Sequence, residues 1–306
     1  MESINYFKAL ADETRIRLFN ILLRHEMSVN ELVSLMGMGQ SRISRHLKIL
    51  TDSGIIQCRR DGIWAFFSVS KTGKEKRFVD AIRFLFNEEP ELAEDLKNAE
   101  TVISDRTRKS KQFFNRIAHK WDDLKQQIIG EFDLNGAILK HVEKCGFAVD
   151  MGCGTGQLLH RLKELAAVAI GVDSSPQMLE QARRLFSDAN GSVELRLGEL
   201  EHLPVGDSQA DFVIISMVLH HIPSPEKAIA EAARILKSKG KLIIADFEKH
   251  QDEDMREKYG DRWLGFTTEE IKTYLSDSGF ALTLTESFDM NRTLKLNIYK
   301  AEKINN

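Results

Sequence analysis

The apolar positions of this chain fall into two patterns. Near the start they recur at helical spacing. In KALADETRIRLFNILL, residues 8–23, Leu10, Leu18, Ile21 and Leu22 mark one face, and Asp12 is placed to cap the second part. VNELVSLMGMG predicts a short helix with Asn30 as its cap and Gly37 and Gly39 as the turn that follows. QSRISRHLKIL, residues 40–50, puts Ile43, Leu47 and Leu50 on one face, with polar and basic residues opposite. After TDSG, the run IIQCRRDGIWAFFSVS reads as two β-type segments around Asp61-Gly62, a strong hairpin-turn signal. From 74 to 130 charged and apolar residues mix at helical periods, and AIRFLF, 81–86, is apolar enough to bury. Beyond that, short apolar runs alternate with helical stretches: GFAVDMG, then the helix GQLLHRLKEL, then VAIGVD, the helix PQMLEQARRLF, and the strands VELRLG, DFVIISM and KLIIADF. Strand and helix in alternation predict a doubly wound parallel sheet.

A length of 306 residues favours two domains. The longest clean apolar run, FVIISMVL at 212–219, is too short to span a bilayer, and no basic stretch followed by an apolar segment opens the sequence. The expectation is a cytoplasmic protein with no membrane partner. The cysteines Cys58, Cys145 and Cys153 form no CxxC pair or Cys/His cluster, so neither disulfides nor a metal site is expected. The net charge of −3 is unevenly spread: residues 1–75 carry 11 Lys/Arg against 8 Asp/Glu. Within 40–60, Arg42, Arg45, Lys48, Arg59 and Arg60 face only Asp52, a basic spot on an acidic chain and a modest nucleic-acid signal.

That spot coincides with a pattern. A short helix, a glycine turn and a second helix rich in Gln, Ser, Arg and His is the arrangement of a helix-turn-helix. Gln40, Ser41, Arg42, Ser44, Arg45, His46 and Lys48 suit base edges and phosphates in a major groove. The hairpin reads as a wing whose Arg59 and Arg60 reach backbone phosphate. LADETRIRLFNILL, SVNELVSLMGMGQSRISRHLKILTDSGII and CRRDGIWAFFSV resemble an ArsR-type repressor over roughly residues 3–70. The resemblance implies a homodimer on a double-stranded DNA operator, with 74–100 serving partly as dimer interface. Metal-sensing members carry cysteines in the helix before the recognition helix. NELVSLMG has none, so metal or arsenite sensing is not implied. Glu13 stands where many members have proline, which bears only on the helix start.

VDMGCGTGQL, residues 149–158, turns from strand to helix at the carboxyl edge of the predicted sheet, where open α/β sheets bind ligands. Its glycines follow G-x-G-x-G at 152, 154 and 156, not the G-x-G-x-x-G of a pyrophosphate loop. Asp150 is placed to meet an amino group. Asp173 ends the next strand 21 residues after Gly152, the separation that sets an acid on ribose hydroxyls, although it also suits a helix cap. Ribose, adenine and an amino-acid tail together describe S-adenosylmethionine. VDMGCGTG, AIGVDSSPQML, RLGELEHLPVGDSQADFVIIS and EAARILKSKGKLIIAD, in that order, resemble a class I S-adenosylmethionine-dependent methyltransferase over roughly 113–306, and FFNRIAHKWDDL, 113–124, looks like the lead-in helix of that family.

The resemblance implies that S-adenosylmethionine or S-adenosylhomocysteine is held as follows. Asp150, Gly152, Cys153, Gly154 and Gly156 hold the methionine end, with Cys153 as a small loop residue and no nucleophile. Asp173 takes the ribose, beside Ser174; Met178 packs near the adenine, and Glu199 and the Leu200 backbone meet its edge. Ser216 and Met217 line the reacting sulfur. SKG at 238–240 departs from the usual Pro-Gly-Gly before strand five. Glu199 also reads as a solvated loop acid. His220 and His221 read as structural histidines or as a general base, and Trp121 and Trp263 as pocket closure or core.

The expected fold is multidomain: an N-terminal α+β winged helix-turn-helix at 1–73, a helical connector at 74–112, and a C-terminal α/β doubly wound, Rossmann-like methyltransferase fold at 113–306, with the boundary near 101–112 in SDRTRKSK. The expected function is a DNA-binding transcriptional regulator whose methyltransferase-like domain binds S-adenosylmethionine or S-adenosylhomocysteine as effector; some proteins that combine these two families regulate the methionine cycle. The alternative is an active small-molecule methyltransferase with an autoregulatory DNA-binding domain. Methyl transfer from a sulfonium asks mainly for orientation and desolvation, so catalytic residues need leave no signature. SMVLHHI stands where DNA methyltransferases carry an NPPY-like or Pro-Cys motif, and no cysteine grouping suits arsenite.

Overall fold

The computed structural model describes residues 2–70, 72–86, 89–186 and 192–304. They form two compact units, Met1–Arg106 and Thr107–Asn306.

The first unit opens with α1 (Glu2–Leu10) and α2 (Glu13–Arg24), whose N-cap Asp12 accepts the Arg15 N–H at 3.0 Å. A short strand β1 (Met27–Ser28) leads into α3 (Val29–Met36). Its cap is Ser28, two residues earlier than the expected Asn30. The Ser28 hydroxyl accepts from the Glu31 N–H and the Glu31 carboxylate accepts from the Ser28 N–H at 2.8 Å, a reciprocal pair that satisfies two free donors where Asn30 would satisfy one. Gly37, at φ +61°, ends α3, and α4 (Gln40–Asp52) follows.

The wing is β2 (Ile56–Asp61) and β3 (Trp64–Val69), with β1 added on the other side of β3. Asp61 pairs with Trp64, so the turn is Gly62-Ile63 and lies one residue beyond the expected Asp61-Gly62. Glycine at the first turn position, φ +56°, is what a two-residue hairpin loop asks for. Leu18, Phe19, Ile21, Leu22, Leu32, Ile43, Leu47 and Leu50 form the core of the unit.

Next come α5 (Gly73–Ile82) and α6 (Pro90–Ile117). AIRFLF is buried only in part. Helix α5 ends at Ile82, the chain tightens into a 3-10 turn, and Phe84 and Leu85 are left 62% and 58% exposed. Helix α6 runs unbroken through SDRTRKSK, and the division between the units falls inside it. Within the first unit α6 is anchored by Asp95, which accepts two hydrogen bonds from Arg17 at 2.7 and 2.8 Å, and by Arg106, paired with Glu31.

The second unit comprises α7 (Trp121–Ile129), α8 (Leu134–Leu139), β4 (Cys145–Met151), α9 (Gln157–Leu162), β5 (Ala166–Asp173), α10 (Pro176–Leu185), β6 (Val193–Leu197), β7 (Ala210–Ser216), α11 (Pro225–Ile235), β8 (Leu236–Phe247), α12 (Asp254–Tyr259), α13 (Thr268–Asp277), β9 (Phe280–Asp289) and β10 (Lys295–Lys303). The sheet runs β6-β5-β4-β7-β8-β10-β9. The strands from β6 to β8 are parallel, and β10 joins antiparallel. The strand order reverses at β4, so the loops after β4 and β7 diverge and leave a crevice at the carboxyl edge. Strand β8 passes straight through SKG, with Lys239 at φ +61° and a register shift opposite Ala210–Phe212, so the departure from Pro-Gly-Gly is absorbed as an irregular strand start. The hairpin of β9 and β10 was not anticipated. Among the described residues no helix is long and apolar enough to cross a membrane.

Candidate functional site

On α4, the apolar face is sunk into the core, which leaves Gln40, Ser41, Arg42, Ser44, Arg45 and Lys48 exposed. Lys48 pairs with Asp52 at 2.9 Å. His46 turns back toward the unit. Its Nδ1 lies 3.6 Å from Asp12, and burial lowers its pKa although the Asp12 charge opposes this. On the wing, Arg60 is exposed, whereas Arg59 is half-buried and bonded to Glu26 at 3.0 and 3.2 Å. Of the candidate DNA contacts, then, His46 and Arg59 are engaged inside the unit and the others face outward.

In the second unit β4 delivers Asp150 to the sheet edge and the loop after it turns on left-handed glycines: Gly152 at φ +78°, Gly154 at +52° and Gly156 at +82°. Gly152 is bound by space as well, since a Cβ there would stand 2.5 Å from the Val218 side chain. The Gly154 N–H donates to Asp173 Oδ2 at 2.9 Å, and the Ser175 N–H donates to Oδ1 at 2.8 Å. Asp173 therefore knits the glycine loop to the end of β5. The cap of α10 is Ser175, whose oxygen accepts from the Met178 N–H at 3.1 Å. The same hydroxyl donates to Asn115 near the end of α6, at 2.7 Å.

These elements surround a cleft of about 1030 Å³, part of it open to solvent. Asp150, Gly152, Cys153, Gly154, Asp173, Ser174, Met178, Glu199, Leu200, Ser216 and Met217 all line it. Gly156 does not. It packs the start of α9 against α10, where a Cβ would meet the Phe186 ring at 2.9 Å and Ala182 at 3.1 Å. Met217 sits at φ +57°, an uncommon conformation for a side-chain-bearing residue and one that gathers at functional sites. The sequence reading missed a whole wall: Thr107, Ser110, Lys111 and Phe114 from α6, Asp122 and Lys125 from α7, and Gln157 from the start of α9. Trp121, left open between pocket and core, lines the cleft; Trp263 is core, and its Nε1–H donates to the Ile222 carbonyl at 2.9 Å.

The electrostatics suit a ligand with a cationic head and hydroxyls. Asp150 is buried, and its Oδ2 has no hydrogen-bond partner. Burial pushes its pKa up to about 7, against the pull of Lys125 and with a further push from Asp173. Burial likewise lowers the Lys125 ammonium, against Asp150 and Asp122. Burial raises Asp173, while the Ser175 and Gly154 N–H groups hold it down. Thr155 donates to Asp122 at 2.7 Å, and Lys111 stands 3.5 Å from Glu199. A buried carboxylate oxygen with no donor fits the amino group of an amino-acid tail. His221 forms part of the wall, edge-on to Phe114 and Trp121 at centroid distances of 4.7 and 6.0 Å. His220, behind it, places Nδ1 2.5 Å from Asp246 Oδ1.

Residues 12–57 match the bacterial regulatory protein arsR family, and residues 149–244 match a methyltransferase domain family. A relative from Methanocaldococcus jannaschii, the uncharacterised protein MJ1123, is 30% identical over 185 residues, which is 60% of this chain and 78% of that protein. The demethylmenaquinone methyltransferase of Lactobacillus johnsonii is 30% identical over 143 residues, 44% of this chain and 58% of the enzyme. A 37.1 kDa protein of a Streptomyces fradiae transposon is 38% identical over 102 residues, but the match spans only 29% of its length and 32% of this chain. Among solved structures, the S-adenosylmethionine-dependent methyltransferase of Aquifex aeolicus shares the fold, with a TM-score of 0.50 and 19% identity over 62% of this chain and 98% of that one. The methyltransferase domain takes S-adenosylmethionine or S-adenosylhomocysteine as its cofactor. The chain therefore joins an arsR-family helix-turn-helix domain at 12–57 to a methyltransferase domain at 149–244.

Proposed function

We propose that the protein is a transcriptional regulator that binds a DNA operator as a homodimer and takes S-adenosylmethionine or S-adenosylhomocysteine as effector. The observation that carries this reading is helix α6. Its Asp95 and Arg106 bond within the DNA-binding unit, and its Thr107, Ser110, Lys111 and Phe114 line the cofactor cleft. A ligand that orders the second set acts on a helix the first unit also uses. In particular, Arg106 grips Glu31, whose carboxylate bonds back to the Ser28 cap of the first helix of the helix-turn-helix. A tenfold change in DNA affinity needs only about 1.4 kcal/mol of coupling.

In this reading Gln40, Ser41, Arg42, Ser44, Arg45 and Lys48 meet the operator, with Arg60 on flanking phosphate. Asp150 receives the ligand's amino group, Asp173 its ribose hydroxyls, and Met178 and Leu200 its adenine. The dimer forms on apolar surface that the first unit leaves uncovered, including Phe7 at 61%, Phe84 at 62% and Leu85 at 58% exposure.

A second reading, turnover of a small-molecule methyl acceptor, is favoured by His221 and Trp121 in the cleft wall. Bound S-adenosylmethionine would supply an activated methyl group. The chain's own contribution would be to orient it and to exclude water.

The deciding experiment is fluorescence anisotropy on a labelled fragment of the protein's own promoter at fixed salt, with the protein stripped of ligand and then given S-adenosylmethionine or S-adenosylhomocysteine. The regulator reading expects either ligand to shift DNA affinity. Tight binding indifferent to both overturns it and leaves turnover as the reading.

A further inference from the structure

In and behind the cleft wall lies a cluster to which the roles assigned above in DNA and cofactor binding give no part. His220 and His221 come from the turn after β7, and Asp261 from the turn after α12. One donor atom of each lies within 4.8 Å of the others. All three side chains are buried, at 2%, 7% and 5% exposure. Neither carboxylate oxygen of Asp261 has a hydrogen-bond partner, while His221 Nδ1, the nitrogen nearer to it, lies 3.3 Å from the Gly260 carbonyl, a contact that an ion at Nδ1 replaces. Asp261 Oδ1 stands 3.7 Å from His220 Nε2 and 3.7 Å from His221 Nδ1. That is too far for a hydrogen bond. It is close to the spacing of two donors on one ion, roughly 3.3 Å for a tetrahedral zinc site.

We propose that His220, His221 and Asp261 bind one divalent transition-metal cation of the zinc class. Two imidazoles and a carboxylate are a donor set that suits such ions. The outer contacts are already in place. His220 Nδ1 meets Asp246 at 2.5 Å, so its Nε2 is the nitrogen turned toward Asp261, as in carboxylate-histidine-metal arrangements. The backbone is fixed too: the N–H groups of Arg262 and Trp263 both donate to the His220 carbonyl, at 2.8 and 3.0 Å. The two Asp261–histidine separations need to close by only a few tenths of an ångström to reach that spacing. Two buried carboxylates, Asp246 and Asp261, face this cluster, and a dication offsets their charge. Three protein donors leave a position for water or for an oxygen of a molecule in the cleft, since His221 is part of its wall.

The test uses the full chain, purified without a histidine tag or chelator, stripped, and titrated with Co²⁺ while its visible absorption is followed. One equivalent per chain with ligand-field bands is expected, and Zn²⁺ should displace it. Asp261→Asn and His221→Gln should abolish the bands, and Asp246→Asn should weaken Co²⁺ binding by about 10- to 100-fold. Circular dichroism and thermal melting of each variant separate loss of the ion from loss of the fold. A wild-type chain without bands overturns the proposal and leaves the cluster a proton-sharing network. Bands that survive both substitutions overturn it as well, because the ion is then held elsewhere.

Discussion

Asp150 sets how the cofactor cleft responds to pH. Its carboxyl is raised to about 7, so it is protonated below that value and ionised above it. The ionised form is the one that attracts a cationic amino group. Affinity for S-adenosylhomocysteine should therefore rise by up to about tenfold from about pH 6 to about pH 8. Calorimetry at a series of pH values checks this, and Asp150→Asn should bind weakly with a flat profile. Lys125 and Asp173 face the same carboxyl, and a slope that persists in the variant would assign it to them. Asp150 and its loop were legible because glycine spacing, a strand end and an acid all occur within a few residues. Lys125, Thr107 and Phe114 were not, since they lie on helices whose apolar and charged residues read alike whether they face a ligand or water. Gly156 shows the converse limit. Its place in the motif was right, but the motif does not reveal that its missing side chain makes room for Phe186 instead of a ligand.

At the level of elements, α4 divides its work cleanly between Ile43, Leu47 and Leu50 in the core and an exposed polar face. Arg45→Ala touches only the exposed face. It should weaken operator binding by about 1–3 kcal/mol, with thermal stability and cofactor affinity unchanged. Electrophoretic or anisotropy titration beside calorimetry checks it; collapse of both affinities would undermine the assignment of separate roles to the two units. The element boundaries were less legible than the elements. Asn30 and Ser28 are both good caps taken alone, and only the reciprocal bond to Glu31 selects Ser28. The hairpin turn was displaced by one residue because the Asp61-Gly62 signal does not say which of the two closes the ladder. The strands β9 and β10 went unread although FALTLTESFD alternates half-buried and exposed positions after a buried Phe280, because nothing chemical drew attention to them.

For the whole molecule, both families were legible, but not that a single helix runs through the stretch where the units divide. SDRTRKSK is charged enough to read as a boundary, yet a helix with an apolar face tolerates that charge on its other sides. The apolar surface left open by the first unit tests the assembly. Phe84→Ser with Leu85→Ser should shift sedimentation from dimer toward monomer and reduce operator binding, with S-adenosylhomocysteine affinity retained. An unchanged dimer would place the interface elsewhere. Helix α6 also bears on how such a chain is inherited. The stretches that match known families are 12–57 and 149–244. A recombination event that carried only the second stretch into another gene would leave Thr107, Lys111, Phe114, Trp121 and Lys125 behind, and with them one wall of the cleft. The stretch outlined by the methyltransferase family model is smaller than the unit that lines the cleft, so that unit passes intact only when 107–125 travels with it.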